Sequence, residues 1–398
     1  MLSDFAKPYI QASLPALREH GLTITGTFYK NMFEEHPELR NLFNMGNQAQ
    51  GVQQQSLASA VFAYAANFEQ PEALAPVVSR IAHKHASLGI TSEHYPIVGR
   101  HLLGAIKQVL GDAATPELIE AWAEAYGALA NVLTEEEQKL YQSSGQKAGV
   151  LMRMRITDVI KQGTTAISYR LVPADNDVVP EFKPGQYISV AVVLPSGQRQ
   201  LRQYSLSDAP GKPYLQITVK RAEGDTNIPS GQVSNWIHEN CKAGDELNVS
   251  APFGDFVVDV AADKPVVMLA AGVGITPMIS ALNHAVEVNP DLDLHLLYAM
   301  RDSQQLKHKQ DIEAAKQRMP NLLVKTFYET MDGSTTDGIQ GRMTVNELPE
   351  QVLKTADFYL CGPLGFMQIQ RSKLIELGVT PEQIHREVFG PDLLDHLL

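Results

Sequence analysis

A few groups of residues in this chain have types and spacings that could do chemistry. His85 lies in Ala82-His83-Lys84-His85-Ala86-Ser87-Leu88-Gly89 and falls on the apolar stripe of Val77, Ile81 and Leu88, whereas His83 turns away from it. A histidine on such a face is either a satisfied core residue or a neutral imidazole offered to iron inside an apolar slot. An iron site of that kind also needs a polar group within reach of a bound gas. Gln53 and Leu57 stand four residues apart at the start of the stripe of Val61 and Tyr64, and Tyr29 shares a stripe with Thr25, Met32 and Phe33. Taken singly, Gln53 also reads as a surface amide and Tyr29 as a core aromatic.

Two further groups suit flat or phosphorylated ligands. In Arg202-Gln203-Tyr204-Ser205 the arginine can pair with phosphate, the tyrosine ring can cover a planar cofactor and the serine can hydrogen-bond a ring nitrogen. The same tetrapeptide also fits an ordinary strand. Gly272-Val273-Gly274-Ile275-Thr276-Pro277 follows a continuous apolar run and opens a helical stretch, so its backbone N–H groups and positive helix end could face a pyrophosphate. Proline at 277 replaces the third glycine of the dinucleotide fingerprint, and a plain turn remains an alternative. Cys361-Gly362-Pro363 ends another apolar strand, the place where open α/β sheets bind ligands; Cys361 also reads as a small buried hydrophobe.

Several textures position these residues. Before residue 150, apolar stripes at helical spacing predict an all-α domain, punctuated by Pro37, Gly89, Gly111 and Pro116. The polar run at 143–149 reads as a linker. Residues 152–160, 166–172, 187–194, 202–206, 214–220 and 246–250 alternate or carry β-branched residues between turns, which predicts a small antiparallel barrel. From Lys264, apolar strands at 265–271, 292–300 and 358–361 with helices between them predict a parallel-sheet α/β domain. The expected boundaries are 1–138, a linker at 139–150, 151–260 and 261–398.

Composition narrows the class. The 398 residues are 44% hydrophobic and 20% charged, within the globular norm, with 33 basic and 45 acidic side chains and a net charge of -12. That balance argues against binding nucleic acid or an anionic membrane. Two cysteines, Cys241 and Cys361, exclude a disulfide framework and a four-thiolate cluster, and suit a reducing cytoplasm. No signal-peptide pattern is read at the start, and the longest apolar run, 265–275, falls short of the ~18 residues of a membrane helix.

The order RxYS, GxGxTP and CGP, with Pro184-Gly185-Gln186-Tyr187 before and Gly231-Gln232-Val233-Ser234 between, resembles the ferredoxin-reductase family over residues 151–398. The resemblance implies that Arg202, Gln203, Tyr204 and Ser205, with Tyr187, bind FAD, and that Val233 and Ser234 offer N–H groups to its pyrophosphate. Glu387, Val388, Phe389, Gly390 and Pro391 would cover the flavin. Gly272, Val273, Gly274, Ile275, Thr276 and Pro277, with Cys361, Gly362 and Pro363, would hold NAD(P)H. Many relatives carry cysteine where Val388 stands.

The helical part resembles a bacterial globin. Tyr29 and Gln53 match the distal polar pair, Leu57 the residue over the iron, Phe43 the haem-packing phenylalanine and His85 the proximal ligand of haem b. Lys84 would lie at the haem edge. A tyrosine and a glutamate brace that histidine in the family; Tyr95 fits the first. For the second, the family's pattern of a glutamate four residues before a tyrosine, here Tyr141, picks Glu137, which is the expected brace; helical spacing from Leu133 and Leu140 slightly favours Glu136, and a solvated acidic face at 135–137 is the plain alternative. A globin fused to such a reductase is similar to the flavohaemoglobins over the whole chain.

That resemblance implies a monomeric enzyme that passes electrons from NAD(P)H through FAD to haem and converts nitric oxide and dioxygen to nitrate, with Tyr29 and Gln53 touching the bound gas. An oxygen carrier or sensor, and a general reductase of ferric chelates or quinones, are the rival readings. Arg301 and Asp302 leave NADH against NADPH open.

Overall fold

The computed structural model describes residues 2–175, 178–224, 230–331 and 337–390. They form two compact units. One holds residues 2–151 with Ala191–Arg202 and Gly390, and the other holds Met152–Val190 with Gln203–Phe389.

The first unit is helical: α1 (Ala6–Glu35), α2 (Met45–Ala49), α3 (Val52–Asn67), α4 (Pro71–Leu88), α5 (His94–Leu110) and α6 (Pro116–Ser144). Local chemistry sets their ends. The Asn44 side chain accepts from the N–H groups of Gly46 and Asn47 to start α2, and Thr115 caps α6 ahead of Pro116. Left-handed Gly89 and Gly145 close α4 and α6. Phe28, Tyr29, Met32, Leu102, Ile106 and Trp122 form the core between α1, α5 and α6.

The linker expected at 139–150 is shorter than its composition suggests. Helix α6 runs through Ser144, because the Tyr141 hydroxyl donates to the Ile90 carbonyl at 2.8 Å and holds the last turn against the end of α4. The polar serines at 143 and 144 are helix surface rather than connector.

The strands form two six-stranded sheets. The first is built from β1 (Met152–Gln162), β2 (Ala166–Pro173), β3 (Tyr187–Val193), β4 (Arg199–Ser205), β5 (Leu215–Lys220) and, after α7 (Gln232–Asn240), β6 (Glu246–Val249), in the order β4-β3-β6-β1-β2-β5. Strand β1 pairs antiparallel with β2 and β6, and β2 pairs antiparallel with β5. A bridge between Leu206 and Ile217 joins the continuation of β4 to β5, so the two edge strands meet and the sheet closes as the expected barrel.

The second sheet alternates with helices: β7 (Val266–Ala271), α8 (Ile275–Val288), β8 (Leu294–Met300), α9 (Lys309–Arg318), β9 (Leu322–Tyr328), β10 (Ile339–Gln340), α10 (Glu350–Thr355), β11 (Asp357–Cys361), α11 (Leu364–Glu376) and β12 (Ile384–Glu387). All its pairings are parallel, in the order β10-β9-β8-β7-β11-β12. Every residue of β7 up to Ala270 is buried, as its unbroken apolar run requires. The barrel and the α/β part, expected as separate domains, pack as one unit through buried polar contacts. Ser280 Oγ donates to the Asp208 carbonyl at 2.8 Å, and Thr218 Oγ1 meets His308 Nε2 at 2.9 Å while Asp311 holds that ring's Nδ1.

Candidate functional site

In the helical unit, side chains far apart in sequence converge on one imidazole. His85 in the last turn of α4 has its Nδ1 2.8 Å from Glu137 Oε1 and 3.1 Å from the Tyr95 hydroxyl. The same Glu137 oxygen accepts from the Tyr95 hydroxyl. Glu137 is 2% exposed, whereas Glu136 sits at the surface paired with Lys139. The acidic run is therefore divided: its last member turns inward and the one before it is solvated. With Nδ1 held by an acceptor, the ring's tautomer is fixed and Nε2 is the nitrogen left to ligate. Tyr95 is braced in turn, because the Tyr126 hydroxyl donates to the Tyr95 carbonyl at 2.6 Å. Burial, reinforced by the Glu137 carboxyl, pushes the Tyr95 phenol far above its ordinary range, so it stays a donor.

The second polar group lies under α3. Tyr29 is 5% exposed, and its ring meets Phe33 and Phe43 at centroid separations of 5.8 and 5.6 Å. Burial drives its pKa well above the ordinary phenol value, against a smaller downward pull from the Gln53 and Gln48 amides beside the hydroxyl. The hydroxyl therefore keeps its proton. Gln48 Nε2 is buried without a hydrogen-bond partner. Phe43, Leu57, Val61 and Val98 pack on the core yet stay half-buried, which leaves apolar surface for a flat group. An imidazole with Nε2 to offer, an apolar slot and polar hydrogens in it fit haem. Lys84 Nζ donates to the Gly390 carbonyl at 3.0 Å within this unit.

The barrel residues named from sequence lie where its strands end. Tyr187 opens β3 and exchanges backbone hydrogen bonds with Phe253. Ser205 closes β4 at 5% exposure, and its Oγ has no partner, an orphan hydroxyl that suits a cofactor ring. Gln203 Nε2 donates to Ser189 Oγ at 3.3 Å, and Tyr204 is half-buried on the same strand. Val233 and Ser234 occupy the first turn of α7, whose leading N–H groups lack intrahelical acceptors. Arg202, counted with the helical unit, donates to Leu201 O, Gln200 Oε1 and Asn44 Oδ1. Those are neutral oxygens, which a phosphate would outcompete.

The parallel sheet makes its site from backbone. Strand β7 lies between β8 and β11, where the strand order reverses, and the turn 272–274 and the loop 361–363 leave β7 and β11 at the same edge. Gly272 has φ +57, a left-handed conformation that glycine adopts freely, and its carbonyl accepts from the Tyr298 hydroxyl at 3.0 Å. A Cβ on Gly274 would stand 2.2 Å from the Cys361 carbonyl oxygen, so a side chain there would separate the two turns. Ile275, Thr276 and Pro277 begin α8 and are buried, Thr276 Oγ1 donating to Val273 O. Glu387 pairs in register with Cys361 at the β12 edge, Val388 packs on the core beneath, and Phe389 is 47% exposed. Pro391 lies outside the described residues. Asp302, after β8, is tied to the N–H and amide of Gln305.

Sequence reasoning missed Gln48 of α2 and Gln54 of α3, which hydrogen-bond each other at 3.0 Å, and Tyr126 behind Tyr95. The clustered glutamines at 53–55 were the available signal for the first pair. Nothing in the local spacing marks Tyr126.

Comparison with known proteins agrees with this division. Residues 26–133 match the globin family, 153–258 the oxidoreductase FAD-binding domain and 268–372 the oxidoreductase NAD-binding domain. A flavohemoprotein of Rhizobium meliloti (strain 1021) is 44% identical over 99% of this chain and 99% of that protein. The crystal structure of a flavohemoglobin from Malassezia yamatoensis with bound FAD and heme superposes with a TM-score of 0.88 at 30% identity, covering 98% of this chain and all of that one. The flavohem-like FAD/NAD-binding domain of a nitric oxide dioxygenase from Vibrio cholerae O1 biovar El Tor matches 60% of this chain and 99% of its own, at 36% identity and a TM-score of 0.56.

Proposed function

The chain belongs to the flavohemoprotein family, and from that premise we propose that it is a nitric oxide dioxygenase, which converts nitric oxide and dioxygen to nitrate with electrons from a nicotinamide. Haem, FAD and NAD(P)H are its cofactors. Bound, they supply a hydride donor, a carrier that takes a hydride and releases electrons singly, and an iron centre for a diatomic ligand.

The observation that carries the proposal is the braced imidazole: His85 Nδ1 on the buried Glu137 carboxyl, with Tyr95 on the same oxygen. Glu137 accepts a hydrogen bond from Nδ1–H, which fixes ring orientation and makes Nε2 the more electron-donating nitrogen. Tyr95 spends its hydroxyl on Glu137 and so holds the acceptor in place. Tyr29 keeps its phenolic proton and can donate a hydrogen bond to a polarised diatomic in the dry pocket, with Gln53 at its side. Phe43 and Leu57 exclude water from that pocket. Ser205, Tyr204 and Tyr187 position the flavin, and the turns at 272–277 and 361–363 position the nicotinamide.

The reading as a reductase of ferric chelates or quinones leaves this brace without a use. The test is the product and stoichiometry of nitric oxide consumption in air. One electron per nitric oxide balances the reaction, so about two nitrates should form per NAD(P)H oxidised. Nicotinamide oxidation unchanged by nitric oxide, or nitrite as the sole product, would contradict the assignment.

A further inference from the structure

Away from the haem pocket, the end of α1 and the middle of α5 bring together a second set of ligating side chains. Glu35 is the last residue of α1, His36 is its C-cap, and His101 is buried on α5. One carboxylate oxygen and two imidazole nitrogens from these residues lie within 4.8 Å of one another. We propose that Glu35, His36 and His101 form a binding site for a divalent first-row transition metal, zinc above all, with Arg100 as a built-in competitor for it.

The donor chemistry is two imidazoles and a carboxylate, a set that suits zinc and its neighbours rather than magnesium or calcium. Their orientation is already prepared. Glu38 Oε1 lies 3.2 Å from His36 Nδ1, so the outer nitrogen is held by a carboxylate and Nε2 faces the cluster. Carboxylate–histidine–metal arrangements are built this way. The His36 and His101 rings stand nearly perpendicular at 5.7 Å, which keeps both Nε2 atoms clear to converge. Zinc bonds of roughly 2.0–2.2 Å would require each ligand to move inward by well under a side-chain rotamer change.

Arg100 marks where the ion would sit. Its Nη2 lies 2.7 Å from Glu35 Oε1, 3.1 Å from His36 Nε2 and 3.3 Å from His101 Nε2. One guanidinium nitrogen carries a pair of hydrogens, so it cannot serve all three acceptors fully. There is a further mismatch: His101 Nε2, if it accepts from Arg100, also faces Glu35 Oε2 at 3.3 Å, lone pair against lone pair. A divalent cation between the three groups satisfies every one of them. Arg100 is 58% exposed at its side chain and can swing to solvent without disturbing the core. Metal there would tie the end of α1 to α5, two turns from Tyr29 on the same helix.

The experiment uses full-length holoprotein without a histidine tag, stripped with a chelator, desalted and titrated with zinc against a chromophoric zinc indicator. Thermal unfolding and the Soret band are followed alongside. The expected result is about one tight zinc per chain, a raised Tm and an unchanged Soret band. His36→Gln and Glu35→Gln, neither of them at a fully buried position, should each weaken zinc roughly tenfold or more and abolish the rise in Tm. Arg100→Ala should bind zinc more tightly than the wild type. Equal zinc affinity in the wild type and His36→Gln would overturn the site. An Arg100→Ala affinity no tighter than wild type would overturn the arginine's place in it.

Discussion

On the proposed reading, the brace around His85 and the turn at Gly272–Gly274 would hold a reactive cofactor in register by opposite means. At His85 the chemistry lies in side chains drawn from three helices, at positions 85, 95 and 137, and it depends on a buried carboxyl oxygen shared by the imidazole and a phenol. At the parallel sheet it lies in backbone: two loops at the edge of β7 and β11 come so close that only a missing Cβ lets them meet. A side-chain site can be weakened by degrees, through charge or a lost hydroxyl. A backbone site has less middle ground, because adding one carbon moves a whole loop.

The sharpest break of that comparison is Gly274→Ala. Its backbone, at φ -63, accepts alanine without strain, so the effect is steric alone, against the Cys361 carbonyl. We expect at least about a tenfold rise in KM for the nicotinamide and a stability loss of about 1–3 kcal/mol. Haem absorption should be untouched. Steady-state kinetics and urea unfolding check this; wild-type KM would show that the two loops do not meet as described.

Glu137→Gln acts on the other side of the comparison. It preserves shape and one acceptor but removes the charge, so turnover with nitric oxide should fall about 10–100-fold while nicotinamide oxidation with ferricyanide stays normal. Equal loss in both assays would place Glu137 outside the haem site. Tyr29→Phe deletes a hydroxyl and leaves the ring packed on Phe33 and Phe43. A charge-assisted hydrogen bond is worth about 1.5–3 kcal/mol, so stopped-flow oxygen release should accelerate by about one to two decades. An unchanged rate would remove Tyr29 from the gas pocket.

The smallest effect concerns a charge the sheet unit buries rather than uses. Lys307 is 1% exposed, and burial, with Lys220 nearby and Asp302 opposing, lowers its pKa to about 8. The folded state therefore binds this proton less tightly than the unfolded chain. Its contribution to stability is missing below about pH 8, grows as pH rises toward the ordinary lysine value, and is complete above it. Urea midpoints at pH 7 and 9 should rise relative to Lys307→Met, which has no such proton. Cys241, raised by burial to about 11, contributes in the opposite direction and is common to both proteins. Parallel pH profiles for the two proteins would show that Lys307 titrates normally.

The contrast also explains what could be read from the chain. The strand at 265–271, the glycine turn after it and Cys361-Gly362-Pro363 are contiguous, and their periods and turn residues state the fold locally. The braced histidine is dispersed. His85 stood out by its stripe, but choosing between Glu136 and Glu137 needed the rotation of α6, which a single residue of drift reverses. Residues 139–144 read as linker because serine-rich polarity looks the same on a helix surface as in a connector; the Tyr141 anchor that decides it is a contact between helices. Gln48 and Tyr126 were silent for the same reason. Tyr126 acts on a carbonyl 31 residues away, and Gln48 reaches back to the Tyr29 hydroxyl on another helix, contacts that neither spacing nor type announces.

The most direct test is the haem content of His85→Gly, measured by the Soret band with and without added imidazole. The account predicts about one haem per chain in the wild type, a lost or greatly weakened haem in the variant, and recovery when free imidazole takes the vacated position beside Glu137. A His85→Gly protein that retains haem with an unchanged spectrum would contradict it.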